Sequence, residues 1–149
     1  MAKRKAPKQK PMGYDQARDY MLSKPEAELD YPFGPDVGVP KIRGKMFATL
    51  GEEDKLARIN LKCDPDEALF LRDTFKSVLP GYHMNKVHWN TVLLDGSIPN
   101  GEIERMIDSS YALVVKTLKK AERIALETRH GKQALYALPF SEKESDSKK

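Results

Sequence analysis

The chain has 149 residues, enough for one domain with a substantial core and short for two. Lys and Arg number 26 against 22 Asp and Glu, a formal charge of +4, yet five basic groups sit in the first ten residues, and the stretch from Pro11 to Phe140 holds 18 basic and 19 acidic residues. The near-neutral body excludes a uniformly basic field of the kind that drives non-specific nucleic-acid binding, so any electrostatic partner must be argued from local patches.

In chain order, residues 1–12 are rich in Lys and Pro with almost nothing to bury, and are expected to be a disordered basic arm. Asp15 is a fair cap for a short helix reaching about Ser23, with Ala17, Met21 and Leu22 at helical spacing, and Lys24-Pro25 ends it. Acidic residues cluster at Glu26, Glu28 and Asp30. The following LDYPFGPDVGVP, Leu29 to Pro40, holds three Pro and two Gly. It excludes a helix, and Pro40 is expected to confine any strand to a sheet edge or a bulge. Lys41-Ile42, the turn pair Arg43-Gly44 and KMFATL read as a hairpin. GEEDK, Gly51 to Lys55, is a second turn before a strand from Leu56 to Lys62. In that strand Ile59 and Leu61 face one way and Arg58, Asn60 and Lys62 the other, the pattern of a sheet covered on one side and open on the other.

Asp64-Pro65-Asp66-Glu67 predicts a helix start, with Asp64 as cap and Pro65 at the first helical position, running to about Phe75 over Ala68, Leu71 and Phe75. Cys63 just before it is the single cysteine, which excludes a disulfide framework or a paired-thiol zinc site. PGYHMNKVHWNTVLLDG, Pro80 to Gly96, is a polar loop leading into a strand from Trp89 to Leu94, and it concentrates hydrogen-bonding side chains between apolar anchors. From Ile103 through Ile107, Tyr111, Val114, Leu118, Ala121 and Ala125 apolar residues recur at steps of three and four, a long helical stripe with a break expected near Lys119. QALYALPF after Gly131 fits either a last helical turn or an extended segment. No apolar run approaches the ~20 residues of a membrane span, and the N-terminus lacks the apolar segment of a secretory signal. The expectation is a cytoplasmic protein without a membrane partner.

GKMFATL, INLKCDPDEA, PGYHMNKVHWNTVLLDG and the helical IDSSYALVV, together with LDYPFGPDV, resemble the MmcQ/YjbR family in their order, over about Tyr14 to Glu127. The resemblance implies an α+β, CyaY-like two-layer sandwich, a mainly antiparallel sheet with helices packed on one face. It implies residues 13–130 as the family-like domain, with 131–149 a C-terminal extension largely disordered at its end. It also implies a small bacterial DNA-binding protein with a double-wing arrangement of hairpins. Val87 stands where relatives often carry a second basic residue, and Pro40 where they keep an apolar or aromatic strand residue.

DNA binding needs side chains that reach phosphates and others that touch bases or sugars. The candidates are Arg43, Lys45, Lys55 and Lys86 at hairpin tips and in the loop, Arg58, Asn60, Lys62, His88 and Asn90 on the open face, and Tyr82 or Trp89 stacking on an unpaired base. Against these stand plainer roles: Trp89 in the core, Lys55 and Lys86 as solvated charges, and Asn85 and Asn90 satisfying turn backbone. His83 and His88 with Cys63 match no metal-ligand spacing, so no metal or cofactor is expected. CyaY resembles an iron binder that uses acidic side chains near its first helix; here Asp15, Asp19, Glu26, Glu28 and Asp30 are interrupted by Arg18 and Lys24. No nucleophile with a base is indicated, so catalysis is not expected. The alternative to DNA binding is a protein or small-ligand interaction domain. Oligomeric state is not legible, and a monomer is the default.

Overall fold

The computed structural model describes residues 10–137, and within them seven strands and five helices follow one another. Helix α1 (Tyr14–Leu22) is capped by Gly13 rather than Asp15, with the Gln16 side chain accepting from the Gly13 N–H at 3.0 Å. The acidic stretch after it contains a strand, β1 (Ala27–Asp30), whose two apolar residues were too short a pattern to announce it. It pairs antiparallel with β2 (Val39–Ile42), and β2 pairs with β3 (Lys45–Met46).

Pro40 is not on an edge: it lies in the middle strand of this three-stranded sheet, beside a one-residue slip in pairing, since Lys41 stands opposite Met46 but Gly38 opposite Leu50. The reason is that the ladder breaks opposite it. Phe47 donates its N–H to the Pro40 carbonyl at 3.0 Å, and Pro40 has no N–H to return the bond. Strand β3 therefore ends at Met46, and β4 (Ala48–Glu53) begins beyond Phe47. The Phe47 carbonyl accepts from the buried Ser110 hydroxyl at 2.6 Å instead, and the Ser110 hydroxyl oxygen accepts from Lys62 N–H at 2.8 Å.

Strands β4, β5 (Leu56–Lys62), β6 (Val78–Pro80) and β7 (Trp89–Leu93) form an antiparallel sheet in the order β4-β5-β7-β6. Paired hydrogen bonds of 2.8 and 2.9 Å between Gly38 and Leu50 tie the two sheets together. Both hairpin tips use left-handed residues, Arg43 and Gly44 at φ 52° and 83°, Asp54 and Lys55 at 54° and 68°. Two positive φ values in a two-residue turn match the natural twist of the strands they join.

Helix α2 (Pro65–Thr74) starts as the residues predict: the Asp64 carboxylate accepts from the N–H groups of Asp66 and Glu67 at 3.2 and 3.4 Å. The long stripe divides into α3 (Asn100–Lys116) and α4 (Lys120–His130), followed by α5 (Lys132–Tyr136). Ile103, Ile107, Tyr111, Val114 and Leu118 are buried as expected, but beyond the break the buried residue is Leu126, while Ala121 and Ala125 are exposed. The Thr117 hydroxyl and N–H both return to the Val114 carbonyl, at 2.7 and 2.9 Å, tightening the last turn of α3. Helix α4 then leaves in a new direction and presents a different face. Leu50, Ile59 and Val92 from the sheet share one core with Met21 of α1, Leu71 of α2 and Ile107 of α3, and Phe47 meets Tyr111 edge-on at 5.2 Å. The fold is α+β, antiparallel sheets with helices over one face.

Of the expected disordered arm, residues 1–9 lie outside the described residues, and Lys10 to Met12 correct the expectation. Asn100 holds them, donating to the Lys10 carbonyl at 2.8 Å and accepting from Met12 N–H at 3.0 Å, and the Met12 side chain is buried. At the other end, α5 buries Leu135, and residues 138–149, where the rest of the expected extension falls, lie outside the described residues.

Candidate nucleic-acid interface

Register places the β5 side chains. Lys62 pairs with Trp89, Asn60 with Thr49 and Thr91, and Arg58 with Leu93, so these residues share the face that the helices leave free. Asn60 is the centre of a buried relay on that face. Tyr82 N–H donates to the Thr91 hydroxyl at 2.8 Å, Thr91 donates to the Asn60 carbonyl oxygen, and the Asn60 amide donates to the Thr49 hydroxyl at 2.8 Å. Thr49 and Asn60 are only 7% and 9% exposed, so a polar floor is set into the sheet rather than lying open on it.

The loop between β6 and β7 folds back over this floor. Gly81 permits it, because a Cβ there would sit 2.9 Å from both the Cβ and the carbonyl oxygen of Trp89. Asn85 accepts from Val87 and His88 N–H at 2.8 and 3.2 Å, and Lys86 Nζ donates to the Gly81 carbonyl at 3.1 Å. Arg72 of α2 clamps the loop from beneath, donating to Asn90 Oδ1 at 2.7 Å, to the Trp89 carbonyl at 3.4 Å and to the Lys86 carbonyl. Held this way, the Tyr82 ring lies 5.6 Å from the Arg58 guanidinium and 3.9 Å from the His83 ring, with His83 itself in a left-handed conformation at φ 59°. Between this loop and the Tyr31-to-Gly38 segment lies a hollow of about 780 Å³, floored by Thr49, Asn60 and Arg58 and walled by Phe33, Tyr82 and Met84. Tyr14 also reaches it, and burial holds its phenol above the ordinary value.

Of the candidates, Arg58, Asn60, Lys62, Trp89 and Tyr82 are brought together, with Lys86 and His88 in the adjoining loop. Asn85 serves the turn backbone. Asn90 corrects the open-face reading: it pairs with Leu61 on the helix side, where Arg72 and the Ala68 carbonyl occupy it. Trp89, half-buried on the free face, is not a core residue. The basic tips are not presented together either. Arg43 is bound to Glu26 at 3.0 Å, and Lys45 to the carbonyl of Thr117 at 3.1 Å. Lys55 lies at the far end of β4, in the other sheet and beyond the break at Phe47.

Charge is uneven over this face. Arg58 is paired with Glu53 at 2.9 Å, and Asp36 and Glu52 also line the hollow, which is therefore acidic. Lys62 makes no ion pair or side-chain hydrogen bond among the described residues. The acidic stretch near α1 does not gather into a site: Asp15 and Asp19 face Arg18, Asp30 faces Lys41, and Glu26 faces Arg43, Arg129 and His130. Among the described residues no group of three or more His, Cys, Asp or Glu is placed to hold a metal ion.

Sequence reasoning missed Arg72, Thr49, Thr91 and Phe33. A signal existed for two of them: Thr49 is a lone polar residue and Thr91 one of an adjacent polar pair inside otherwise apolar strand runs, the mark of a residue with a polar task on its face.

The YjbR family model matches residues 22–113 of this chain. The uncharacterized protein YbdF of Escherichia coli O157:H7 is 38% identical over 110 residues, which cover 74% of this chain and 90% of that protein. The uncharacterized protein YjbR of Escherichia coli K12 is 35% identical over 104 residues, covering 70% and 88%. The crystal structure of a Deinococcus radiodurans protein with a DUF419 domain aligns with a TM-score of 0.73 at 36% identity, covering 79% of this chain and 91% of that one. A Pseudomonas syringae protein aligns with a TM-score of 0.61 at 33% identity, covering 68% and 98%.

Proposed function

The chain belongs to the YjbR family, and from that premise we propose that it is a non-enzymatic DNA-binding protein that receives the nucleic-acid backbone on the helix-free face of its four-stranded sheet. One observation carries the reading: Arg58, Asn60 and Lys62 alternate along β5 on the face free of helices, with Trp89 directly across from Lys62. Lys62 and Lys86 supply cations for phosphates at one end, and Trp89 and Tyr82 supply stacking surfaces beside them. Arg43 is left out of the contact set, since Glu26 already pairs its charge, and Lys45 because it is held to the end of α3 from the other sheet. The absence of enzyme chemistry is supported by what the candidate nucleophiles do. Burial pushes the Cys63 thiol up to about 11, and the Ser110 hydroxyl is committed to two backbone groups. No helix of the described residues is long and apolar enough to cross a membrane. The size of the hollow favours a second reading, a small-ligand domain, since about 780 Å³ falls within the ~300–1,000 Å³ of small-molecule sites.

Salt dependence tests the first reading. Phosphate contacts release counterions, so duplex affinity should fall with salt at a log-log slope of about three to five for the full chain, near 0.9 per contact. Removing residues 1–9 should lower the slope and leave binding. Complete loss on that removal would assign binding to the arm alone, and no binding at 20 mM salt would hand the question to the small-ligand reading. Lys62→Glu with Lys86→Glu should weaken binding at least tenfold if each phosphate contact contributes about 0.5–1 kcal/mol and the new charges repel.

A further inference from the structure

We propose that the hollow between the Tyr31-to-Gly38 segment and the Tyr82 loop takes one unstacked, amino-bearing nucleobase from a bound single strand; this rests on the DNA-binding reading. The floor offers donors. In the relay from Tyr82 N–H through Thr91 and Asn60 to Thr49, every proton points toward Thr49. The Thr49 hydroxyl proton and one Asn60 amide proton are then without an acceptor among the described residues. Both residues are about nine-tenths buried and line the hollow, which opens to solvent, so an occupant that displaces water from the floor must supply the acceptors their free donors would lose. An occupant must bring an acceptor to the floor, as a ring nitrogen or carbonyl does.

The walls set the rest of the chemistry. Phe33 is 70% exposed, more than such a large aromatic ring normally accepts, and it lines the same space as Tyr82, 55% exposed beside His83 and Arg58. They suit a flat ring. The rim holds the carboxylates of Asp36, Glu52 and Glu53 against a single Arg58 that Glu53 already pairs. A phosphate or other anion is repelled there, whereas an exocyclic amino group donates to a carboxylate as it does in base recognition. Acceptor at one edge, amino donor at the other and two flat faces describe the amino-bearing bases adenine, cytosine and guanine, and leave out thymine. The phosphates on either side remain outside, toward Lys62 and Lys86.

The test uses fluorescence anisotropy on the full chain with a 12-nucleotide strand of abasic sugar-phosphate carrying one central adenine, cytosine or thymine, or no base. The expected result is that adenine or cytosine tightens binding about tenfold over the base-free strand, thymine less. Phe33→Ala should erase most of that gain and leave the base-free strand unchanged. Thr49→Val, which removes the donor at nearly constant volume, should reduce it severalfold. Equal affinity for base-bearing and base-free strands overturns the base site while the backbone reading stands. Thymine binding as tightly as adenine overturns the amino-group recognition. If neither the base-free strand nor a duplex binds at 20 mM salt, the DNA-binding reading falls first and the base site with it.

Discussion

The hairpin tips at Arg43-Gly44 and Asp54-Lys55 share one turn geometry, each with two residues of positive φ, and have opposite surroundings. The first is tethered. Glu26 binds Arg43 at 3.0 Å and also Arg129 and His130 of α4 at 2.8 and 2.9 Å, so a single carboxylate fastens the tip to a helix. The second projects with an exposed Lys55 that has no ion-pair partner among the described residues. A basic residue in a turn is thus a candidate DNA contact only when no carboxylate from elsewhere in the fold has reached it, and the turn itself does not say which.

The largest effect on this contrast should come from beneath the tethered hairpin. Ser110→Ala removes the partner of both the Phe47 carbonyl and the Lys62 N–H, and should lower stability by about 2–3 kcal/mol in urea denaturation. A loss below about 0.5 kcal/mol would show that the break opposite Pro40 does not need the hydroxyl. Next, Glu26→Gln should cost about 1 kcal/mol, discounted for the partial exposure of its ion pairs. Its pH dependence has a definite sign. Hydrogen bonds from His130 first, then from Arg43 and Arg129, hold the Glu26 carboxyl at about 2 against an ordinary 4.5. A depressed pKa contributes stability in full above the ordinary value and loses it as pH falls toward the folded one. The parent chain should therefore lose more stability than Glu26→Gln between pH 4.5 and 2, and superimposable curves would dissolve the tether.

The smallest changes in stability should separate the tips most cleanly. Lys55→Glu should leave the urea midpoint within about 0.5 kcal/mol and reduce duplex affinity severalfold. Arg43→Glu should do the reverse, costing stability by setting two carboxylates together while leaving affinity nearly unchanged. Both variants weakening DNA to the same degree would return the tethered tip to the interface.

Much of the local structure was legible. The β5 alternation, the Asp64-Pro65 helix start and both turns depend on residues within a few positions of one another, and periodicity and capping act over that range. The same alternation put Arg58, Asn60 and Lys62 on one face. It did not reveal β1 or β6, which are three or four residues long and take their strand character from pairing rather than from their own pattern. Nor did it place Asn90, whose side depends on the register of β7 against β5, since a shift of one residue exchanges the two faces.

What the amino-acid order determined by itself was the first four helices, the two hairpin turns and the two faces of β5, because those are decided by backbone sterics and hydrophobic periodicity among near neighbours. Tertiary structure alone decided that Pro40 sits opposite Phe47 and Ser110 mends the break, and that Phe33 and Tyr82, 49 positions apart, wall one hollow over Asn60. Those meetings follow from strand register and loop closure, which join residues across the chain by hydrogen-bond pairing and core packing, and no short stretch of sequence carries either.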